Sequence, residues 1–285
     1  MIQRTKGEKA FGVFNIIFLS LLSICALYPM YYVLMASISD SGRLMSHSGL
    51  LLYPDGFSLQ GYKVIIDNAN IWTGYGNTLF IVIIGTIISL VVTSMAAYPL
   101  SRKSFTLRNF FMLMITFTMM FSGGLIPRFL VVNDVGLYDS IWSLILPVAV
   151  NTTNLIIMRT AFAAVPDSLE ESAKIDGAND LVTYARIILP LTKATLAVLA
   201  LYYGVSYWNS WFTASIYLRS RSKFPLQLIL REILIANDNV NTDNELMAES
   251  IKYAAIIVST VPILCAYPFL QRYFVKGVMI GAVKG

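Results

Sequence analysis

Long, nearly uncharged apolar blocks run through this sequence. A helix needs about 20 mostly apolar residues to cross the hydrocarbon layer of a bilayer, and several blocks reach that length. Only 13% of the 285 residues are charged, whereas an average soluble domain has roughly 25%. Lipid cannot hydrogen-bond to backbone groups, so a spanning block of this kind has to be helical. The sequence therefore predicts an all-α membrane protein with about six transmembrane helices.

We expect residues 1–285 to form a single transmembrane domain. The first span follows a basic N-terminus, as in a signal peptide, but its apolar run exceeds the roughly 7–15 residues of such a peptide. We therefore expect this span to be retained, and five core spans to follow between residues 77 and 275. The predicted spans are 11–36, 77–100, 109–132, 139–162, 191–214 and 251–275.

Three polar segments separate these spans. Residues 37–76 and 215–250 are rich in turn-forming side chains, whereas 163–190 reads as two short helices. Positive charge is concentrated in short loops such as 101–108, and cytoplasmic loops carry an excess of Lys and Arg. We therefore expect both termini and 163–190 in the cytoplasm, and the two longer segments on the extracytoplasmic side.

The 163–190 segment has the local signals of a helix–turn–helix elbow. Ser168 and Glu171 have the spacing of a capping box at a helix start. Gly177 can adopt the left-handed conformation that ends many helices. Pro190 is expected to end the second helix, just before the predicted fifth span.

The elbow also carries a motif whose spacing resembles a family signature. The signature is Glu-Ala-Ala, three residues, Gly, nine residues, Ile, one residue and Leu-Pro. It belongs to the permeases of binding-protein-dependent ABC importers, and only Ser172, a small residue in place of Ala, departs from it. The matching positions are Glu171, Ser172, Ala173, Gly177, Ile187, Leu189 and Pro190.

Other parts of the chain resemble one branch of this family. Residues 97–102, 208–211, 271–277 and 283–285 are similar to the carbohydrate-importing, maltose-type branch. Residues 121–127 resemble a subgroup linked to complex oligosaccharides and polysaccharide-derived sugars. The resemblance implies the type I ABC importer permease fold. It also implies import of a carbohydrate, with an oligosaccharide expected, across the cytoplasmic membrane of a bacterium.

The resemblance implies that the elbow is a coupling helix that docks on an ATPase subunit and transmits its closure to the spans. The chain has no G-x-x-x-x-G-K-[ST] loop, so we expect no catalytic residue and no cofactor here, with ATP and Mg²⁺ held by the partner ATPase. The residues expected to act in coupling are Glu170, Glu171, Ser172, Ala173, Asp176, Gly177, Ala178, Ile187, Leu189 and Pro190.

The expected partners are a second, homologous permease, two ATPase subunits, an extracytoplasmic sugar-binding protein and membrane lipid. Segment 215–250 is the first candidate for contact with the binding protein, and 37–76 is the second. No aromatic and basic interleaving indicates nucleic acid. A single histidine, His47, cannot build a metal site.

Two sets of residues in the spans have open interpretations. Asn and aromatic side chains could line a sugar path, or they could form an interfacial belt and hydrogen bonds between helices. Gly123, Gly124 and Pro127 could form a gate near the outer face, or a kink satisfied by neighbouring helices. The possible path residues are Asn151, Asn154, Tyr203, Tyr207, Trp208 and Asn209.

Other functions make different demands on the sequence. An ion-coupled secondary transporter would need ionisable residues near the middle of the membrane, and the predicted spans carry almost none there. A membrane-embedded enzyme would need a paired nucleophile and base or a set of metal ligands, and neither is found. Within the family, a polyol, an amino acid or glycerol phosphate stays open as an alternative solute.

Overall fold

A computed structural model describes residues 6–238 and 249–265 of the chain. Regular structure in these ranges is helical, apart from one isolated bridge between Ser39 and Phe57, which confirms the all-α class. The helices are α1 (Lys6–Ser37), α2 (Ser41–Ser46), α3 (Gln60–Asp67), α4 (Ala69–Ser101), α5 (Arg108–Met120), α6 (Leu125–Asp134), α7 (Thr152–Ala163), α8 (Asp167–Ile175), α9 (Asp180–Thr183), α10 (Leu189–Leu191), α11 (Lys193–Trp208), α12 (Trp211–Tyr217), α13 (Leu226–Asp238) and α14 (249–265).

Two helices, α1 and α4, are each long and apolar enough to cross a membrane. Three pairs of shorter helices meet the same criterion only together, and each pair is bent at a short break. The bends are 117° between α5 and α6, 49° between 141–148 and α7, and 81° between 180–191 and α11. The described residues therefore provide up to five spans. Most of the predicted sixth span lies in α14, and its remainder, with the similar stretches 271–277 and 283–285, lies outside the described residues.

Three predicted spans differ from the helices of the structure. Helix α4 begins at Ala69 rather than at residue 77, so it extends into the segment predicted to be polar loop. The predicted span 139–162 is broken, because Pro147 lies in a short 3-10 turn and Asn151 caps a new helix by accepting a hydrogen bond from the Asn154 amide at 3.1 Å. The predicted span 191–214 is interrupted after Trp208.

The described chain divides into two compact units. The first comprises residues 6–68 with 232–238 and 249–260, and the second comprises 69–231 with 261–265. In the first unit, Ala36, Leu44 and Leu51 form a small core against Tyr32 and Tyr253. The rings of these two tyrosines meet edge to face with centroids 6.0 Å apart. The second unit contains the elbow and all three bent helix pairs.

Helix α4 is the centre of the second unit, and its buried stripe consists mainly of small residues. Lipid provides no hydrophobic drive between helices, so small side chains that allow close backbone approach favour their association. Large apolar side chains such as Ile83 and Ile87 are exposed on the other side of the helix, as expected for lipid contact. The small members of the buried stripe are Gly74, Thr78, Gly85, Ser89, Thr93, Ser94, Ala97 and Ser101.

Two tyrosines of α11 pack into this stripe and bond to it. The Tyr207 and Ser89 hydroxyls are 2.8 Å apart, and those of Tyr203 and Thr93 are 2.7 Å apart. All four side chains are buried. The Tyr207 ring sits so close to Gly85 that a Cβ atom at this glycine would lie 2.8 Å from the ring. Hydroxyl pairs and a missing side chain thus set the spacing of α4 and α11.

Asp139 joins two connecting segments of the second unit. Its Oδ1 accepts hydrogen bonds from the Arg219 and Ser220 amides, both at 2.9 Å, and its Oδ2 accepts one from the Ser220 hydroxyl at 2.5 Å. Lys223 Nζ lies 3.1 Å from Oδ2. These hydrogen bonds, led by that of the Ser220 hydroxyl, hold the pKa of Asp139 well below its usual range. Asp139 has a left-handed backbone (φ 51°), which Asp tolerates better than most residues.

Removing the Asp139 charge should weaken this junction. We expect Asp139→Asn to lower the thermal midpoint of the solubilised protein, whereas Asp134→Asn, at an exposed residue just upstream, should not. Because folding lowers the pKa of Asp139, its stabilisation is complete above the ordinary value of 3.8 and is lost only as the pH falls below it. The measurement is the midpoint of each variant at pH 7 and pH 4. Equal midpoints for both variants would contradict the assignment.

Gly85 should tolerate no side chain. We expect Gly85→Val to destabilise the protein by about 1–3 kcal/mol, because the added atoms collide with the Tyr207 ring. Gly76→Val is a matched control on the same helix, since a Cβ there has nothing within 4 Å. The measurement is thermal unfolding in mild detergent, in which size-exclusion chromatography monitors the remaining folded protein. The prediction fails if the two variants unfold at the same temperature.

Candidate functional site

The first arm of the elbow is α8, which begins directly after Pro166. Asp167 and Glu170 lie in its first turn, where the helix dipole favours acidic side chains. The predicted capping box is wrong: Pro166 occupies the N-cap position, no side chain caps the helix, and Ser168 lies inside the first turn. The proline before Asp167 explains this start, because a proline cannot donate a backbone hydrogen bond and suits a helix boundary.

The turn of the elbow is a Schellman motif centred on Gly177. The Gly177 amide donates to Lys174 O at 3.1 Å, and the Ala178 amide donates to Ala173 O at 2.9 Å. Gly177 has a left-handed backbone (φ 79°), as this motif requires of the residue after the helix. The predicted role of Gly177 as a helix stop is confirmed.

The second arm runs from Asp180 to Leu191. Pro190 was expected to end this arm, but the helix continues to Leu191. Asn179 caps its start by accepting a hydrogen bond from the Val182 amide at 2.8 Å. A π-helical turn, Tyr184–Ile188, precedes Pro190. Proline removes a donor and crowds the carbonyl four residues earlier, and a wider turn gives that carbonyl more room. The chain bends by 81° just after Leu191.

A buried arginine joins the elbow to the ends of two spans. Arg102, at the end of α4, is only 7% exposed. Its Nε lies 3.0 Å from Glu170 Oε1, and its Nη2 donates to Phe162 O at 3.0 Å. In return, Arg159 Nε of α7 donates to Leu100 O at 3.2 Å. Each of these arginines thus bonds to a carbonyl at the C-terminal end of the other helix, where positive charge is favoured.

Aromatic side chains surround this ion pair. The Tyr98 hydroxyl donates to Glu170 Oε1 at 3.0 Å, and the Tyr98 ring lies 5.4 Å from that of Tyr184 on the second arm. The Tyr184 hydroxyl is 2.7 Å from Ser94 Oγ. Both arms of the elbow are therefore fastened to the last two turns of α4. We call Arg102, Glu170, Tyr98, Tyr184 and Ser94 the elbow anchor.

The motif residues divide between the packed and the open side of the elbow. Ala173 is buried, as its small size predicts. Glu171, Ser172, Asp176, Gly177 and Pro190 are exposed, while Glu170, Ala178, Ile187 and Leu189 are partly buried. Thus Glu170, which precedes the signature, is the acid in contact with the rest of this chain, and Glu171 is available to another protein. The prediction of site residues missed Arg102, Tyr98 and Tyr184. For Arg102, its position as a charge directly after a long apolar helix was a signal that could have indicated a role.

The open side of the elbow carries large apolar side chains. Ile175 is 86% exposed and Leu181 is 66% exposed. Ile175 lies outside the predicted spans and outside the bent helix pairs, so lipid contact does not explain its exposure. Exposed apolar side chains rimmed by charges are typical of protein contact sites, and Lys174 and Asp180 are exposed beside them. We call Ile175 and Leu181 the elbow tip.

The structure uses most of the possible path residues for packing. The Tyr203 hydroxyl also accepts the Asn151 amide at 3.0 Å, and that of Tyr207 approaches Ile145 O at 3.4 Å. Asn154 is buried, whereas Asn151 and Asn209 are exposed. Asn209 Nδ2 donates to Val205 O at 2.9 Å. These contacts favour helix packing for the tyrosines, and a sugar path stays a prediction for the others.

Trp208 lines a cavity of about 580 Å³ in the second unit. Its walls are almost entirely apolar and come from α4, α11 and α14. The indole Nε1 of Trp208 is buried, and no hydrogen-bond acceptor meets it among the described residues. Thr86 Oγ1, on the facing helix, is also buried without a hydrogen-bond partner among the described residues. Both residues line the cavity, but these two polar atoms are themselves buried.

The possible gate lies at the break between α5 and α6. Helix α5 ends at Met120, and α6 begins after Gly124, which has a left-handed backbone (φ 83°). The predicted interruption at Gly123 and Gly124 is confirmed. Pro127 does not form the break but lies in the first turn of α6, where its missing amide donor costs nothing. The gating role itself stays a prediction.

A helical membrane chain with a firmly anchored elbow of this motif spacing fits the class of transport subunits that a separate motor protein drives. A family model described as "Binding-protein-dependent transport system inner membrane component" matches residues 89–280. The chain belongs to this family. It is a permease subunit of an ABC importer and not an enzyme, and ATP hydrolysis is the task of a separate subunit.

Individual relatives extend the match to nearly the whole chain. Protein LplC of Bacillus subtilis is 39% identical, covering 100% of this chain and 98% of that protein. The polygalacturonan/rhamnogalacturonan transport system permease protein YtcP of Bacillus subtilis is 42% identical over 94% of this chain and 96% of that protein. A solved bacterial ABC transporter involved in the import of the acidic polysaccharide alginate contains a chain with a TM-score of 0.87 and 32% identity, over 96% of this chain and 100% of that one.

Glu170 should matter more than the signature residue Glu171 for the fold of the elbow. We expect Glu170→Ala to destabilise the protein by about 3–5 kcal/mol, because the buried Arg102 then keeps only the exposed carboxylate of Asp167, whose Oδ1 lies 3.9 Å from its Nη1. Glu171→Ala, at an exposed position one residue later, should leave folding unchanged. The measurement is thermal unfolding of both variants in detergent. A stable Glu170→Ala protein would contradict the anchor.

Proposed function

We propose that this chain imports a carbohydrate, an oligosaccharide in particular, with the elbow tip as the docking surface for an ATPase subunit. The observation that carries the docking role is an apolar tip held at 86% exposure by a packed and ion-paired base. The names of two relatives, polygalacturonan/rhamnogalacturonan and arabinooligosaccharide transport permeases, support the carbohydrate. So does the structural likeness to the alginate transporter.

The proposed assembly contains this permease, a second homologous permease, two ATPases and an extracytoplasmic sugar-binding protein. ATP and Mg²⁺ would be bound by the ATPases. Both termini and the elbow would face the cytoplasm, since Lys and Arg cluster in the loops on that side. The C-terminal ends of α4 and α7, which Arg102 and Arg159 cross-link, would lie at that membrane face. Segments 37–76 and 215–250 would face the binding protein.

The elbow anchor supports a mechanical account of coupling. ATPase closure would move the tip, and the ion pair of Arg102 with Glu170 would carry that displacement into α4. The hydroxyl pairs of α4 with Tyr203 and Tyr207 would carry it on to α11. Both connections are short and largely buried, so the displacement would not be lost in side-chain rearrangement. The motion would change access to the path without any chemistry in this chain.

Purification of the complete complex tests this proposal. The tagged chain is solubilised in mild detergent, the co-purifying proteins are identified, and ATP hydrolysis is measured with and without a sugar-loaded binding protein. Recovery of an ATPase and a second permease, with hydrolysis stimulated by the loaded binding protein, is expected. Recovery of the chain alone in repeated preparations, or stimulation only by a non-carbohydrate solute, would contradict it.

The elbow tip gives a sharper prediction. Ile175→Glu should reduce ATPase recovery at least about 10-fold, because a charge would have to be buried at the contact. Val135→Glu is the matched control, since Val135 is 64% exposed in a connecting segment distant in sequence. The measurement is the ratio of ATPase to permease after affinity purification. Equal ratios for the two variants would exclude Ile175 from the docking surface, whatever the transported solute.

A further inference from the structure

An arginine lies stacked on a tryptophan at the break between α11 and α12. The guanidinium carbon of Arg231 is 3.6 Å from the centroid of the Trp211 ring. Arg231 is exposed, and Trp211 is partly buried. The Trp211 ring also meets Phe212 edge to face at 5.5 Å, and Phe212 is 50% exposed. A cation and two aromatic rings thus share one surface.

The stacked guanidinium keeps its hydrogen-bonding edge open. Stacking on an aromatic ring uses the face of the guanidinium, whereas its N–H donors point outward in the guanidinium plane. Among residues 6–238 and 249–265, no carboxylate is paired with Arg231. In the same part of the chain, Arg102, Lys103 and Lys223 each lie within 4.0 Å of an acid. Arg231 is therefore held in position but not neutralised by these residues.

The elements that carry this pair are firmly placed. The first residue of α13, Leu226, is fully buried, and its amide donates to Thr78 Oγ1 at 2.8 Å. Asn77 Nδ2 donates to Ser222 O at 2.8 Å and to Phe224 O at 3.0 Å. Arg231 follows Leu226 by less than two helical turns. Its position over Trp211 is thus set by the packing of α13 against α4.

The break between α11 and α12 also carries polar atoms that are not used in hydrogen bonds. Ser210 Oγ is buried and has no hydrogen-bond partner among the described residues. Asn209, beside it, is exposed and uses Nδ2 for Val205 O, which leaves its carbonyl oxygen as an acceptor. Buried polar groups without a partner are rare and usually have a functional explanation. Asn209 Oδ1 is therefore the polar atom that this break offers to a ligand.

We propose that Arg231 and Trp211 form a subsite for a carboxylated sugar unit, so that the transported oligosaccharide is acidic. The guanidinium edge binds the carboxylate through two parallel N–H···O bonds, a geometry that suits Arg and carboxylate. The exposed Phe212 ring packs against the sugar ring beside it. Asn209 Oδ1 accepts a hydrogen bond from a neighbouring hydroxyl. This inference rests on the proposed carbohydrate import and specifies its substrate class.

The experiment compares two probes that differ only in charge. The complete importer is assayed with trigalacturonate and with its fully methyl-esterified form, in proteoliposomes and as direct binding to the complex without a binding protein. We expect Arg231→Gln to reduce uptake and binding of the acid at least about 10-fold, while the ester changes less than about twofold. Arg231→Lys keeps the charge but loses the bidentate geometry, and should recover only part of the acid binding.

Arg128→Gln is the matched control, because Arg128 is also exposed but is not stacked on a ring. Equal effects of Arg231→Gln and Arg128→Gln on the acid would overturn the subsite. The subsite would also be overturned if the wild-type importer takes up the ester and neutral oligosaccharides but not the acid. The proposed carbohydrate import would then still stand. A wild-type importer that takes up no saccharide would overturn both.

Discussion

The contact between Arg102 and Glu170 is the interaction on which the rest of this structure depends. A buried guanidinium is costly unless each of its faces is satisfied. Here it is matched by the carboxylate of the elbow, the carbonyl of Phe162 at the end of α7 and the ring of Tyr98. The end of α4 therefore meets the end of α7 and the elbow that follows it at one charge. Loss of the carboxylate would leave this charge buried without its main partner.

The second constraint is the absence of large side chains along the buried stripe of α4. The close approach of α11 to α4 depends on Gly85 and on the short hydroxyl side chains of Ser89 and Thr93. Unpaired hydroxyls are unfavourable in lipid, and the tyrosines of α11 form hydrogen bonds with those of Ser89 and Thr93. The same residues thus determine the helix spacing and satisfy their own polar atoms. Anchor and stripe lie on one helix, which joins the elbow to α11.

Local features of this protein were predictable from the sequence, and distant contacts were not. The helix stop at Gly177 and the interruption at Gly124 follow from conformations that glycine adopts easily. The break in the fourth span was missed because an apolar composition does not reveal a 3-10 turn at Pro147. The contact of Glu170 with Arg102 was not predicted because the two residues are 68 positions apart in the chain. No pattern within one segment records a pairing of that kind, and the stacking of Arg231 on Trp211 was missed for the same reason.

The hydroxyl pairs between α4 and α11 also determine how this chain responds to the membrane potential. An elementary charge that moves across a membrane changes its energy by about 2.3 kcal/mol per 100 mV. Helix α4 carries no charged residue between Ala69 and Ser101, and its bonds to Tyr203 and Tyr207 join neutral groups. A shift of α4 along α11 would therefore carry no charge of α4 through the electric field, and the membrane potential would do no work on that helix.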